Sequence, residues 1–313
     1  MVRQAPSSPP SGTSTQPRHA VKEHLLQDIC KPALRIHLLV ISFGTGLLDA
    51  GSYADFGIFA SNQTGNTIIL LTEAVASTRS SVGSGAPILT VGVSLAAFLA
   101  MGAIFGQLGN HLGRCRRIWL AFSTLVQATF LLVTAILLQT RVFRIGEMLE
   151  QGEYSRADVD GALIIFMLAA ASGIQVSMAK SVGVPECPSA MLTSPYSDLV
   201  TDPHLFAPHL RTHQVFSRNI RLIYILTLSA GTLVGAALYY YADTVAVVWV
   251  AFALRTGNLV HILLAGAVLG EEEGGEEQRG DGKREGGVKK KELMEEKEGE
   301  GATPRMIGAK EQD

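Results

Sequence analysis

The chain has 313 residues, of which 47% are hydrophobic and only 17% are charged, and its net charge is −2. The last 43 residues hold 23 of the 54 charged side chains, so residues 1–270 carry far fewer charges than a soluble surface needs. This composition excludes a soluble globular enzyme, a nucleic-acid-binding protein and a wholly disordered chain, and it indicates a multi-span membrane protein.

The two ends of the chain are predicted to be disordered and cytoplasmic. Residues 1–33 begin with a stretch rich in Ser, Pro and Thr, which has no apolar core of the kind that a secretory signal needs. Residues 271–313 are rich in Glu, Lys and Gly and have almost no apolar side chains to bury.

Residues 34–270 form the predicted membrane domain, with halves at about 34–140 and 161–270. Six apolar stretches are long enough to cross a hydrocarbon core of about 30 Å as helices. They are 38–60, 88–108, 118–138, 161–179, 222–242 and 244–269. Two shorter pieces, 67–76 and 190–200, contain charges or lie next to prolines. The predicted fold class is all-α transmembrane, with six full spans and two short broken or re-entrant segments.

Basic residues near the span ends favour re-entrant short pieces. If both pieces return to the side they came from, ten basic residues lie on one side of the membrane and four on the other. The richer side contains the clusters at 114–117 and 211–221. By the positive-inside rule this side is cytoplasmic, together with both termini. A seven-span arrangement, with one short piece crossing, stays open.

The two halves show signs of an internal duplication. Gly102 and Gly106 form a GxxxG pair, and Gly231 and Gly235 form another at an offset of 129 residues. Because each half would contain three full spans, the halves would lie inverted, a plan that recurs in transporters with a midplane site. The alternative is that these glycines serve only helix packing.

The first half carries a family signature. Its Gly46-Leu-Leu-Asp49-Ala turn, followed by Thr64-Gly65-Asn66-Thr67, resembles the first signature of the YoaK-like polytopic membrane proteins (domain of unknown function 1275). The resemblance covers residues 34–270 and is to the fungal-type branch. It implies a multi-pass membrane protein and no particular substrate.

The second half matches the family pattern less closely. Gly173-Ile-Gln175 fits the Gly-x-Gln-Asn of the second signature, but Val176 stands in place of the Asn. Ser194-Pro195 replaces the Gly-Asn of a second Thr-Gly-Asn. The resemblance therefore implies that the two halves differ in function.

Two charged side chains are predicted at membrane depth, Asp49 in the first span and Arg255 in the last. A charge there costs at least about 2.5–3.5 kcal/mol and needs a partner. We expect Arg255 to pair with Asp49 or, as a second choice, with Glu73. These groups would form a substrate or proton site, or would be structural, with Asp49 capping a helix break and Arg255 joining the first and last spans.

Further polar residues complete the predicted substrate-binding or coupling set. Thr64, Gly65 and Asn66 open the first short helix, whose free N–H groups would either face a substrate or be capped locally. Asn258 shares a helix face with Arg255 at i+3, and Gln175 stands in the second signature.

The loop after the second short piece contains three histidines. His209 and His213 are four residues apart, a spacing that suits a metal on a helix, and His204 is nearby. Prolines interrupt the stretch, so a solvated loop is the expected structure. No metal and no cofactor are expected.

Two functions fit these features. One is a transporter or channel for a small solute, with an anionic solute and proton coupling as one form. The other is a non-transporting scaffold or adaptor that acts through its termini. An enzyme is not expected, because the sequence offers no catalytic residues in a nucleophile–base arrangement. The expected partners are the lipid bilayer, a small solute or proton and a second copy of the chain, without nucleic acid.

Overall fold

The computed structural model describes residues 17–76, 88–140, 154–208 and 213–265. Helices in this part of the chain are α1 (Pro17–Leu26), α2 (Lys31–Phe56), α3 (Gln63–Ala76), α4 (Ile88–Leu112), α5 (Arg117–Gln139), α6 (Tyr154–Ser181), α7 (Thr193–Val200), α8 (His213–Tyr241) and α9 (Thr244–Leu264). The predicted disordered tail at 271–313 lies outside the described residues.

Six of these helices are long and apolar enough to cross a membrane: α2, α4, α5, α6, α8 and α9. The predicted all-α transmembrane class with six full spans is therefore confirmed. Helices α3 and α7 have 14 and 8 residues, fewer than the roughly 20 that a full crossing needs. They correspond to the two predicted short pieces.

The segment before α2 differs from its prediction. Residues 1–33 are predicted to be disordered, but the described part forms α1, and Asp28 makes an antiparallel bridge to Arg116. The buried Arg117 Nη1 donates to the Leu263 carbonyl at 2.8 Å and lies 2.8 Å from His24 Nε2. Backbone pairing and the contacts of Arg117 hold this segment against α5 and α9, whereas residues 1–16 lie outside the described residues.

The chain turns back into the bundle after α2. Helix α2 ends at Phe56, because Gly57 adopts a left-handed conformation (φ 64°) and donates its N–H to the Tyr53 carbonyl. The Ser61 backbone N–H then bonds Asp49, about two turns back along α2. Helix α3 starts beside Ser94 of α4. It leads toward the end where α4 begins, so α3 does not cross.

The segment after α6 makes the equivalent turn at the opposite end. Its Ser189 carbonyl accepts from Gln175, and its Met191 carbonyl accepts from Tyr224 Oη at 2.7 Å. Both donors lie inside spanning helices, so residues 182–192 enter the bundle. After α7, Asp202 bonds Arg221 near the start of α8. The chain has then returned to the end that it left.

The packing of the helices repeats between the halves. Helix α4 packs against α6 as α8 packs against α2, and α5 packs against α6 as α9 packs against α2. Helix α3 lies on α4 as α7 lies on α8, while α5 and α9 contact each other. If each helix of α2–α5 is replaced by its counterpart in α6–α9, and the reverse, the same list of helix contacts results. This symmetry agrees with the predicted internal inverted repeat.

Glycines allow the backbones to approach closely in both halves. A Cβ on Gly231 would overlap the Phe43 carbonyl, and a Cβ on Gly235 would overlap the Leu47 backbone. In the equivalent pair, Gly102 and Gly106 of α4 face Ser177 of α6. The two GxxxG pairs therefore lie at equivalent helix contacts, where small residues are typical of membrane proteins.

We predict that Gly231→Ala lowers the melting temperature of the purified protein in detergent. The added methyl group would force α8 away from α2, and such overpacking typically costs about 1–3 kcal/mol. Gly257→Ala is the matched control, because a Cβ there meets nothing within 4 Å. Alanine stabilises a helix relative to glycine, so the control should melt at or above the wild-type temperature. Equal melting of Gly231→Ala and wild type would contradict the close packing.

Candidate functional site

Arg255 lies deep in the bundle with its guanidinium enclosed by protein. It is the twelfth of the 21 residues of α9, about 14–16 Å from either helix end at 1.5 Å per residue. Only 4% of its surface is exposed. Its Nη2 donates a 2.6 Å hydrogen bond to Gln175 Oε1 of α6. Arg255 therefore joins α9 to α6.

Gln175 is held in one orientation by its own bonds. Its Nε2 donates to Thr45 Oγ1 of α2 at 2.6 Å and to the Ser189 carbonyl at 3.3 Å. Both amide protons are thus used, and the remaining oxygen faces Arg255. Three spanning helices and the second re-entrant segment meet at this one amide.

Asn258 and His37 extend this group of polar residues. Asn258 lies one turn after Arg255 and is buried, and its Nδ2 donates to the His37 backbone carbonyl at 3.2 Å. This bond connects α9 to the beginning of α2. We call the complete set the Arg255 cluster: His37, Thr45, Gln175, Ser189, Arg255 and Asn258.

Several buried polar atoms of the Arg255 cluster have no hydrogen-bond partner in the described protein. They are Arg255 Nη1, Ser189 Oγ and one ring nitrogen of His37, whose other ring nitrogen interacts with the Asn258 side chain. Leaving a buried polar group unsatisfied costs about 1–3 kcal/mol, and more when it is charged. A group of such atoms around a guanidinium is typical of a site that binds something polar.

The expected ion pair between Arg255 and Asp49 is not formed. The Asp49 Oδ1 accepts from the Ser61 backbone N–H at 2.7 Å, and its Oδ2 accepts from Ser61 Oγ at 2.6 Å. Asp49 therefore holds the first re-entrant turn, which is the capping role that its sequence context allowed. The second-choice partner, Glu73, lies in α3, which packs against α4. Arg255 has no carboxylate partner within the described residues.

Asn66 supports the same turn. Its Oδ1 accepts from the Phe59 backbone N–H at 2.9 Å, and its Nδ2 donates to the Phe59 carbonyl at 2.7 Å. Gly65 packs under the Phe59 ring, where a Cβ would lie 3.0 Å from ring carbons, and Thr64 is exposed. The Thr-Gly-Asn signature thus lies in the first half and away from the Arg255 cluster.

The second re-entrant turn lacks the hydrogen bonds that Asp49 and Asn66 make in the first. Aligning the halves places Val176 opposite Asp49 and Pro195 opposite Asn66, and neither side chain can make the corresponding bonds. Ser189, in the second turn, has a left-handed backbone (φ 69°), which is unusual for serine. Its carbonyl bonds Gln175 instead. This turn is therefore tied to the Arg255 cluster.

Sequence reasoning placed Gln175, Arg255 and Asn258 in one set, and the structure brings these three together. It did not include His37, Thr45 or Ser189 in that set. The second short piece could have drawn attention to Ser189, because this residue lies four positions before Thr193, in the segment that leads into that piece. His37 and Thr45 carry no comparable signal, since a single polar residue in an apolar helix is common.

The loop with His204, His209 and His213 is not part of the Arg255 cluster. His204 lines an open cleft of about 400 Å³ together with Asp198, Asp202 and Arg221. His209 and the side chain of His213 lie outside the described residues. Within the described ranges, no three His, Cys, Asp or Glu side chains are grouped closely enough to hold a metal ion.

We predict energetic coupling between Asp49 and Ser61. A double-mutant cycle with Asp49→Ala and Ser61→Ala, measured by unfolding in detergent, should give about 1–2 kcal/mol, given that one partner is charged and that bonds inside membranes are modest. Asp55 is the control, because its carboxylate accepts from Thr244 instead. A cycle of Asp55→Ala with Ser61→Ala should be additive. Additive behaviour of the Asp49 pair would show that this contact does not hold the turn.

Comparison with known protein families gives a match over most of the chain. Residues 37–270 match the family model described as a protein of unknown function (DUF1275). No curated protein and no solved structure gave a significant match. The match covers most of the chain and nearly all of the predicted membrane domain. The chain therefore belongs to the DUF1275 family of multi-pass membrane proteins, the family that its first signature resembles.

Proposed function

We propose that this protein is a membrane transporter or channel for a small solute, with its site at the Arg255 cluster. The observation that carries the proposal is the buried guanidinium of Arg255, whose Nη1 has no protein partner. A charge at this depth is costly, and intramembrane charges commonly mark substrate or ion pathways.

The position of the cluster supports the same function. Non-helical backbone at membrane depth is tolerated where it is buried in protein or lines a cavity. Here the second re-entrant segment reaches the middle of the bundle and contacts Gln175, directly beside Arg255. Transporters built from inverted repeats have their sites at such breaks near the midplane.

We further propose that the end of the bundle containing Arg117 faces the cytoplasm. Eight described basic residues lie at or near helix ends or connecting loops on this side, which fits the positive-inside rule. They are Lys31, Arg35, Arg114, Arg116, Arg117, Lys180, Arg218 and Arg221. In a variant whose three native cysteines are replaced by serine, labelling of Arg114→Cys by an impermeant maleimide only after the cytoplasmic side is opened would agree with this orientation.

We predict that purified protein in liposomes takes up at least one solute from a panel of ions, small acids and neutral metabolites. Arg255→Gln should reduce the initial rate about tenfold or more, because hydrogen bonds from a charged group contribute about 1.5–3 kcal/mol. Asp202→Asn, in the cleft near His204, is the control and should keep the wild-type rate. If Arg255→Gln takes up the solute at the wild-type rate, the transport site is not the Arg255 cluster.

A scaffold or adaptor is the second candidate, favoured by the 23 charged side chains in residues 271–313. Deleting these residues separates the two functions in cells. A transporter should keep its activity and its cellular phenotype without the tail, whereas a scaffold that recruits partners through the tail should lose the phenotype. The test requires that the shortened protein still reaches the membrane.

A further inference from the structure

The charge of the Arg255 cluster restricts what it can bind. Arginine stays protonated in proteins, and Arg255 is the one permanently charged side chain of the six. No described carboxylate lies close enough to neutralise it. In a medium of low dielectric constant, one uncompensated positive charge attracts an anion and repels a cation strongly. A single charge is balanced by a monovalent anion.

The hydrogen-bonding groups restrict the anion further. The donors of the cluster without a partner among the described residues are the two N–H groups of Arg255 Nη1 and the Ser189 hydroxyl. Donors of this kind suit the oxygens of an oxyanion, and a guanidinium is especially suited to coplanar carboxylate oxygens. The unpartnered ring nitrogen of His37 offers an acceptor for a ligand hydroxyl or a water.

The burial of the cluster limits the size of the ligand. Each of its six side chains is at most 4% exposed. A ligand must therefore fit among closely packed side chains from α2, α6 and α9, which favours one with few non-hydrogen atoms. It can reach the cluster only when the bundle opens, as alternating access requires.

We propose that the substrate of this site is a small monovalent oxyanion of the carboxylate type, bound through Arg255 Nη1. This inference rests on the proposed transport function and names its substrate class. Cations are rejected by the guanidinium charge, and divalent anions are disfavoured because a second negative charge would stay buried without a partner.

The test uses the full-length protein and two measurements. Uptake into liposomes is measured for formate, acetate, nitrate, chloride, sulfate, potassium and urea. The melting temperature in detergent is measured with the same solutes, because a ligand that binds the folded state raises it. The variants are Arg255→Gln, Arg255→Lys, Asn258→Asp and the control Asp202→Asn, and each is checked for folding by size-exclusion chromatography.

The expected result is uptake of formate or acetate at least about tenfold faster than of sulfate or potassium, as one unfavourable buried charge costs more than 1.4 kcal/mol. The same anions should raise the melting temperature of the wild type. Arg255→Gln should lose both effects, whereas Arg255→Lys should keep part of them. Asn258→Asp should lose both effects while it folds normally, because its carboxylate would pair with Arg255 from within the protein.

The outcomes distinguish the substrate class from the transport function. Arg255-dependent uptake of potassium or urea would overturn the anion inference and leave transport intact. Stabilisation by formate that depends on Arg255, without any uptake, would support the anion site and overturn transport. Equal stabilisation of wild type and Arg255→Gln by formate, or the absence of both effects for every anion, would overturn the anion inference.

Discussion

The structure depends on how two chain reversals satisfy their backbone polar groups inside a membrane. Hydrocarbon offers no hydrogen bonds, so a segment that leaves the helical pattern at depth must find partners in the protein. The first reversal finds them in Asp49 and Asn66, which bond the backbone at Ser61 and Phe59. The second relies on Gln175 and other side chains of neighbouring helices. The positions of the six spanning helices around these reversals, and the close glycine contacts between them, follow from this need.

The spans could be predicted from the sequence because a crossing helix needs a long apolar run, and such a run is visible without any knowledge of contacts. The family signature likewise identified the first reversal. The partner of Arg255 could not be predicted in this way. Charge alone suggested Asp49, yet a backbone N–H and a serine hydroxyl satisfy that carboxylate locally. The amide oxygen of Gln175 accepts the hydrogen bond from the Arg255 guanidinium instead. Neither the Asp49–Ser61 bonds nor the Arg255–Gln175 bond produces a periodic or compositional pattern in the sequence.

The differences between the second half and the family pattern explain why the second reversal is held by other bonds than the first. Val176 and Pro195 replace side chains that would otherwise hold the second reversal as Asp49 and Asn66 hold the first. The reversal is connected instead to the guanidinium through Gln175. One half of the protein therefore has a locally fixed reversal, and the other has a reversal whose bonds are shared with the proposed site. A ligand at the site would act directly on the second reversal.

The difference between the two reversals has a thermodynamic consequence for a protein built from inverted halves. In a carrier made of two identical inverted halves, a two-fold rotation in the membrane plane would convert the inward-open conformation into the outward-open one, and the two would be equal in free energy. Here the first turn is held by the Asp49 carboxylate, whereas the second is connected through Gln175 to the Arg255 guanidinium, so the exchange of roles between halves changes the energy. For the proposed carrier, the empty protein would rest preferentially open to one compartment, so its apparent affinity for solute would differ between the two sides of the membrane.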